Sequence, residues 1–370
     1  IGGALMTTTT TRQVRLLLMG VGNVGRRFLE LLVRKRDTLR GRLGLELVLT
    51  GVADTSGMAT CPTGLDPQQV VQLKTGGQGV AAYPRWGQPG GSALEMVQTT
   101  GADLLLEASP ANLKDGQPGL SCIEAALSKG MHVVTANKAP LVLAFPRLLA
   151  MARDHGVQLR FDATVAGGLP AVNLGQRDLA AAEIYRLEGV LNLTTNYILT
   201  RMAQDGLSYD EALAHAQDAG HAETDPSLDV EGWDATNKLV ILAHSVLGYP
   251  ATLDDVAVEG ITDVTAETLR RAAAEGKRVK LVATAERDGD RYRLSVRPTW
   301  LEPDHPLAQL GPKQMGIVYY TDISGVISAA IVEETPVPTA SAMLRDVIDI
   351  YSRRVSENSV IARSPSTGSG

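Results

Sequence analysis

Between His221 and Leu242 the chain reads HAETDPSLDVEGWDATNKLVIL. Four acids fall within nine residues, Glu223, Asp225, Asp229 and Glu231, and Asp234 follows. Lys238 stands four residues beyond Asp234, the spacing that puts two side chains on one helix face. An ammonium held by a carboxylate can deliver a proton, and lysines that do acid–base work need neighbours that set their pKa. The remaining carboxylates would hold the ammonium of a small amphoteric substrate. A plainer reading fits the same residues: acids favoured at a helix start and one solvated ion pair. The apolar run from Leu239 follows at once, so the pair sits where a helix enters a core.

The elements that would position such a site come earlier in the chain. Val14 to Met19 is an apolar strand, followed by Gly20-Val21-Gly22-Asn23-Val24-Gly25 and a helical pattern, RRFLELLVRKR. A GxGxxG between strand and helix is the context of a dinucleotide site. Its glycines make the turn, admit a pyrophosphate and allow close packing, and the phosphate faces the helix N-terminus. Leu45 to Ala53 predicts a second strand ending at Asp54, whose carboxylate is placed for a ribose hydroxyl and so for NAD. Thr55, Ser56 and Arg40 keep NADP open. Residues 60–91 read as a Gly- and Pro-rich excursion with one helix over 67–74. A strand over 103–108 stops at Ser109-Pro110, and a strand over 131–135 leads to Ala136-Asn137-Lys138. Both ends lie at the carboxyl edge of the expected sheet, where doubly wound folds bind ligands. A helix over 146–155 and a strand over 157–163 follow. The next segment, Thr164-Val165-Ala166-Gly167-Gly168-Leu169-Pro170, is either a turn before a helix opened by Pro170 or a loop whose carbonyl oxygens ligate a cation.

The remainder alternates helices with short strands. Asp288-Gly289-Asp290 marks a hairpin between strands over 280–286 and 292–296. Strands over 317–322 and 325–331 pair around Ile323-Ser324, and 339–351 is a terminal helix. The fold class is therefore an α/β Rossmann nucleotide-binding domain (12–162) joined to an α+β domain with a mixed, mostly antiparallel sheet (163–335). Residues 336–355 form the closing helix, and 1–11 and 356–370 read as flexible ends. The opening IGGALM looks like residues appended before a start at Met6.

Composition narrows the function. With 370 residues and a net charge of -6, the chain has no basic footprint for nucleic acid or an anionic membrane. No apolar run approaches the roughly 18 residues of a membrane helix. Cys61 and Cys122 make no metal or disulfide pattern, which suits a reduced, cytoplasmic setting. The six histidines make no metal pattern, and His244 reads as a core residue.

In order, GVGNVG (20–25), TANK (135–138), ATVAGGLP (163–170), TTNYIL (194–199) and AETDPSLDVEGWDATNKL (222–239) resemble the homoserine dehydrogenase family over nearly all of residues 14–355. The resemblance is to its shorter forms, which lack a C-terminal regulatory module. It implies NAD- or NADP-dependent interconversion of L-aspartate 4-semialdehyde and L-homoserine, in threonine and methionine biosynthesis. It also implies a homodimer and a terminal helix folded back on the nucleotide domain. Lys238 matches the catalytic lysine, and Lys138 a second lysine between cofactor and substrate. Glu223 and Asp234 match substrate-binding acids, with Asp229 and Thr194 beside them. Gly20, Gly22, Asn23, Val24, Gly25 and Ser109 fall on cofactor positions. Asp162, Val165, Gly167 and Leu169 match a sodium site built largely of backbone carbonyls.

Three positions depart from the family pattern. Leu193 stands where a glycine is usual, Ile331 to Thr335 replace a glycine-rich segment, and His221 replaces a tyrosine. The first two suggest rival readings: a dehydrogenase for another small amino-acid aldehyde, or a nucleotide-binding homologue with little turnover.

Overall fold

The computed structural model describes residues 11–351. The chain ends expected to be flexible lie outside the described residues, apart from Thr11, as do residues 352–355 of the expected terminal helix.

Strand β1 (Arg12–Met19) is the centre of a seven-stranded sheet, and its register alternates between two cores. Val14, Leu16 and Leu18 pack with Phe28, Leu29 and Met343, while Leu17 and Met19 pack with Ile123, Ala126 and Leu148. Helices cover both faces, which is why the strand reads as one apolar run. Helix α1 (Asn23–Leu43) ends on the left-handed Gly44, φ 61°, with Arg40 and Arg42 in its last turn, where cations suit the helix dipole. Strand β2 (Leu45–Asp54) pairs parallel with β1.

The excursion then adds two strands that the sequence reading did not anticipate. β3 (Gly57–Thr60) pairs antiparallel with β2, and β4 (Gly87–Pro89) with β3, at one edge of the sheet. Four- and three-residue strands within Gly- and Pro-rich sequence carry too little periodicity to stand out. Helix α2 (Pro67–Thr75) lies between them, capped by Asp66. Helix α3 (Ala93–Thr99), β5 (Leu104–Glu107), α4 (Gly119–Ser128) and β6 (His132–Thr135) continue the doubly wound pattern.

Two expectations need correction. Helix α5 spans Lys138–Asp154, so Lys138 is its first residue and the helix does not wait for Pro146. Asn137 caps it, accepting the Ala139 N–H at 3.0 Å. Ala144 leaves helical geometry (φ -145°, ψ 23°) just before Pro146, and that kink hides the first half from a proline-based reading. The strand expected over 157–163 is only β7 (Leu159–Arg160). Phe161 turns out of it (φ -156°, ψ 22°), and a 3-10 turn over Asp162–Thr164 takes over.

The second sheet has six strands in the order β13-β12-β8-β10-β11-β9. Helix α6 (Ala171–Asn173, continued as a π turn over Leu174–Asp178) leads into β8 (Ile184–Val190). Helices α7 (Leu193–Asp205), α8 (Tyr209–Asp218), α9 (Ser227–Val230) and α10 (Trp233–Ser245) follow. Then come β9 (Val256–Val258), α11 (Ala266–Ala274), β10 (Arg278–Asp288) and β11 (Arg291–Leu301). The sheet is completed by β12 (Gln314–Thr321) and β13 (Val326–Val332). All its pairings are antiparallel except β11 with β9. Leu187, Leu281, Ala283, Ile317 and Tyr319 form the inner face and meet Ile198, Leu239 and Leu242 from the helices. Helix α12 (Val337–Tyr351) returns to the first sheet, where Ala340, Met343 and Val347 pack beside Phe28 and Leu16.

Candidate active site

The acidic stretch folds as two short steps onto the sheet domain. Gly232, at φ 90°, turns the chain from α9 into α10. Asp234 thereby falls in the first turn of α10, where an anion is favoured. It is buried, and its two oxygens divide between two lysines. Oδ2 accepts from Lys238 Nζ at 2.6 Å, and Oδ1 accepts from Lys138 Nζ. The helix spacing brings Lys238, and the start of α5 in the first domain brings Lys138. Burial acts against the Asp234 charge, but Lys238 and Lys138 outweigh it and hold the carboxyl well below the usual carboxylate range.

Lys238 also donates to the Leu191 carbonyl at 2.7 Å. An ammonium has three donors, so one remains for another oxygen. Asn192 closes the group: its Nδ2 donates to Asp234 Oδ2 at 2.8 Å and to Asp229 Oδ1 at 2.6 Å. The same residue caps α7, its Oδ1 accepting the Thr195 N–H at 2.8 Å. Burial and the Asp234 charge raise the Asp229 pKa, against Asn192, Lys238 and Thr194, which lower it. Two ammoniums and two carboxylates thus meet where the two sheets adjoin.

Other expected residues stand farther out. Thr194 is buried and donates to the His221 carbonyl at 2.7 Å, while the His221 ring lies 4.7 Å from that of Tyr197. Glu223 is exposed on the loop before α9; Gln217 Nε2 holds its carbonyl at 3.0 Å. Leu193 is the first residue of α7 and half-buried against the inner core.

The glycine turn of the first domain has the shape its spacing implies. Gly20 is left-handed at φ 84°, and a methyl there would overlap Ala108. A methyl on Gly25 would overlap the Gly20 carbonyl. A methyl on Gly22 would meet nothing within 4 Å beyond its chain neighbours, so protein packing does not explain that glycine. Gly22 offers α1 no side-chain cap, and the N–H groups of Asn23, Val24 and Gly25 open the helix as an anion would require.

The Asp54 carboxylate lies at the end of β2, with four donors around it. Lys74 Nζ is at 2.6 Å, Ser56 Oγ at 2.6 Å, Ser56 N at 2.9 Å and Val80 N at 3.3 Å. Burial opposes ionisation, but Lys74 and Ser56 keep the pKa below normal. Ser109 follows β5 and donates both its N–H (3.0 Å) and its hydroxyl to Glu107 Oε1.

Around residues 162–169, Ala166 (φ 53°) and Gly167 (φ 61°) are both left-handed, which bends the backbone sharply. The Asp162 carbonyl accepts from Val165 N at 3.3 Å and that of Leu169 from Ala171 N at 2.8 Å. The Asp162 side chain is spent on capping α6, accepting from Val172 N at 3.0 Å and Asn173 N at 3.1 Å, and it also pairs with Arg345. The acids of the replaced glycine-rich segment turn away from a common direction. Glu333 inserts its carboxylate against Gly167, accepting from Gly168 N at 3.2 Å and Thr339 Oγ1 at 2.6 Å, while Glu334 pairs with Lys313 at 3.0 Å. Among the described residues no three His, Cys, Asp or Glu side chains are grouped to hold a metal. A cation here would depend on backbone oxygens, with Glu333 supplying nearby negative charge.

Sequence reasoning gave no role to Asn192, Lys74, Glu107 or Asn137. The available signal for Glu107 was an acid closing a strand of leucines, DLLLE. Cys61 and Cys122 are buried free thiols, and His244 stacks on Phe145 with ring centroids 5.0 Å apart. No helix among the described residues is long and apolar enough to cross a membrane. A concavity of about 1120 Å³ lies between α6, the end of α10 and the β10–β11 hairpin. It is lined by none of Lys138, Asp229, Asp234 or Lys238, so it is separate from the carboxylate–lysine cluster.

Residues 20–162 match a family model described as the NAD binding domain of homoserine dehydrogenase, and residues 170–348 match the homoserine dehydrogenase model. A homoserine dehydrogenase of Methanocaldococcus jannaschii is 36% identical, over 91% of this chain and 98% of its own. An NAD(+)-dependent homoserine dehydrogenase of Pseudomonas canavaninivorans is 34% identical, over 92% and 96%. Among solved structures, a putative homoserine dehydrogenase from Archaeoglobus fulgidus superposes with a TM-score of 0.83 at 37% identity, covering 92% of this chain and all of that one. A hyperthermophilic archaeal homoserine dehydrogenase in complex with NADPH gives 0.78 at 26% identity, covering 92% and 98%.

Proposed function

The chain belongs to the homoserine dehydrogenase family, and from that premise we propose how its residues carry out the NAD(P)-dependent interconversion of L-aspartate 4-semialdehyde and L-homoserine. The observation that carries the reading is Asp234 shared between Lys138 of the first domain and Lys238 of the second.

The bound dinucleotide supplies or accepts the hydride. Gly20, Gly22, Asn23, Val24 and Gly25 would hold its pyrophosphate, and Asp54 and Ser109 would contact its ribose and nicotinamide ends. Lys238 has one unspent donor, which would aim at the carbonyl oxygen of the aldehyde. As that oxygen gains charge, Lys238 stabilises it and then protonates it; in reverse it takes the proton back. Asp234 fixes both ammoniums, so Lys138 and Lys238 need not reorganise as charge develops. Asp229 has an oxygen beyond the one Asn192 occupies and would take the substrate α-ammonium, with Thr194 and Glu223 at the margin. That grip sets the aldehyde at a fixed distance from the hydride carrier.

The carbonyls of Asp162, Val165, Gly167 and Leu169 would hold a sodium ion. The setting is cytoplasmic and the enzyme a homodimer.

Absorbance of NADH and NADPH with aspartate semialdehyde, and of NAD and NADP with homoserine, tests the activity. Lys238→Ala is expected to lower kcat by roughly 100-fold or more, the range for a lost general acid, with dinucleotide affinity retained. An unchanged kcat would remove Lys238 from the mechanism.

A further inference from the structure

Glu107 closes β5 at the carboxyl edge of the first sheet and is fully buried. Among the described residues no lysine or arginine pairs with it; instead its oxygens collect donors from three residues. Oε1 accepts the Ser109 N–H at 3.0 Å, the Ser109 hydroxyl, and Asn137 Nδ2 at 3.3 Å. Oε2 accepts Thr135 Oγ1 at 2.7 Å. Two helix N-termini converge on it. Helix α4 opens with Gly119, where a methyl would stand 2.9 Å from Asn137 Nδ2 and 3.3 Å from Glu107 Oε1. Helix α5 opens beside its cap Asn137. Burial pushes the Glu107 pKa up against its donors, and the positive ends of the two helices favour the charged form as the donors do.

What Glu107 touches matters more than how it is neutralised. Asn137 points its amide nitrogen at Glu107 and its amide oxygen at the Ala139 N–H, 3.0 Å away. The residue between them is Lys138, whose ammonium reaches Asp234. The Glu107 oxygen that accepts from Asn137 also accepts from both the backbone N–H and the hydroxyl of Ser109.

We propose that Glu107 is a positioning residue, which aligns the start of α5 so that Lys138 meets Asp234 and holds Ser109 at the cofactor edge. This rests on the site reading above. Glutamine at 107 keeps the shape but removes the charge and puts an amide N–H₂, which cannot accept, where one oxygen accepted, so a hydroxyl that donated to it must turn its O–H elsewhere.

The test is a double-mutant cycle of Glu107→Gln and Lys138→Ala, read by steady-state kinetics, NADH fluorescence titration and thermal melting. Misplacing a reacting group by about an ångström costs about 100-fold, so Glu107→Gln is expected to lose that much in kcat/KM. NADH binding weakens as well, through Ser109. In the Lys138→Ala background the further loss in kcat should be small, because for turnover both changes act on the placement of Lys138, while the effect on NADH binding through Ser109 persists. Parental kinetics in Glu107→Gln, or a loss in kcat carried over undiminished into Lys138→Ala, overturns the proposal. Should Glu107→Gln fail to fold, Asn137→Ser replaces it in the same cycle. Serine still caps α5 but cuts the link to Glu107, and the same two outcomes decide. A fully active Lys138→Ala would overturn the site reading and this inference with it. Parental kinetics in Glu107→Gln beside a disabled Lys138→Ala overturns the inference alone.

Discussion

At Asp229, burial and the neighbouring Asp234 both work against ionisation, and the substrate ammonium would restore the balance. A carboxyl with a raised pKa loses its charge earlier as pH falls. The KM for the amino-acid substrate should therefore climb on acidification at a higher pH than an ordinary carboxylate would give. Asp229→Asn should flatten that limb and raise KM by roughly 10- to 100-fold, the worth of a hydrogen bond to a charged group. A pH–KM profile unchanged by the substitution would place the ammonium elsewhere. At Asp54, proposed to contact the far ribose of the dinucleotide, Lys74 pairs with the carboxylate. Lys74→Ala would leave Asp54 facing any 2′-phosphate with its charge unmasked, so NADPH should weaken about tenfold more than NADH, the effect of about 1.4 kcal/mol. Fluorescence titration of both cofactors measures that ratio, and an unchanged ratio refutes the role. The residues differ in how far sequence exposed them. Asp234 and Lys238 were legible because i, i+4 is a local relation. Lys138 lies 96 positions from Asp234; its place at the carboxyl end of a strand marked it as a candidate, but no local spacing paired it with Asp234. Asn192, Lys74 and Glu107 act through partners that folding brings near, and no local spacing announces them.

Elements built by short-range rules matched the sequence reading best. Asp288-Gly289-Asp290 makes the β10–β11 hairpin because Gly289 takes φ 63°. Elements whose rule is broken midway were hidden, as Ala144 and Pro146 hid the start of α5 and Phe161 cut β7 short. Buried Lys280 on β10 shows the same limit for a single contact between elements. Its ammonium ties β10 to α7 and to the segment before β12, donating to Asn196 Oδ1 at 2.7 Å, Thr200 Oγ1 at 2.9 Å and the Leu310 carbonyl at 2.9 Å. Burial, helped by Arg278, pushes its pKa down to about 8 from 10.5. Below the folded value both states are protonated and the cost of burying the charge is fully present. Between about 8 and 10.5 the unfolded chain binds more protons, so stability from this group rises with pH. Lys280→Met should destabilise the protein at pH 7 by about 1–3 kcal/mol, since three acceptors lose their donor. It should also remove a contribution on the order of 3 kcal/mol to the rise in stability across that window. Urea unfolding of both proteins at pH 7 and pH 10 measures the difference, and parallel pH dependences would show that Lys280 is not the titrating group.

The whole molecule ends its second sheet on an unguarded edge. Strand β13 alternates strictly: Ile327, Ala329 and Ile331 pack inward, while Val326, Ser328, Ala330 and Val332 face out. Val326 is 56% exposed and Val332 55%, and Ile323 in the preceding turn reaches 67%. The strand has no lysine, proline or bulge of the kind that keeps sheet edges from pairing. Its outer face carries two exposed valines, an alanine and a serine with no charge among them, the surface that a second copy of the chain can cover with an identical one. The homodimer implied by the family resemblance would find its interface here, on a strand that contributes no side chain to the hydrogen bonds around Asp234, so dimerisation and chemistry can be separated. Val326→Lys together with Val332→Glu places charges on that face without touching the inner core. The pair is expected to shift the protein to a monomer in light scattering coupled to size exclusion, with the near-ultraviolet signal of the folded state retained. Because Lys138, Asp234 and Lys238 meet within one chain, the proposed site predicts that the monomer keeps most of its turnover at low temperature and loses thermal stability first. A dimer that survives both substitutions would move the interface off this strand.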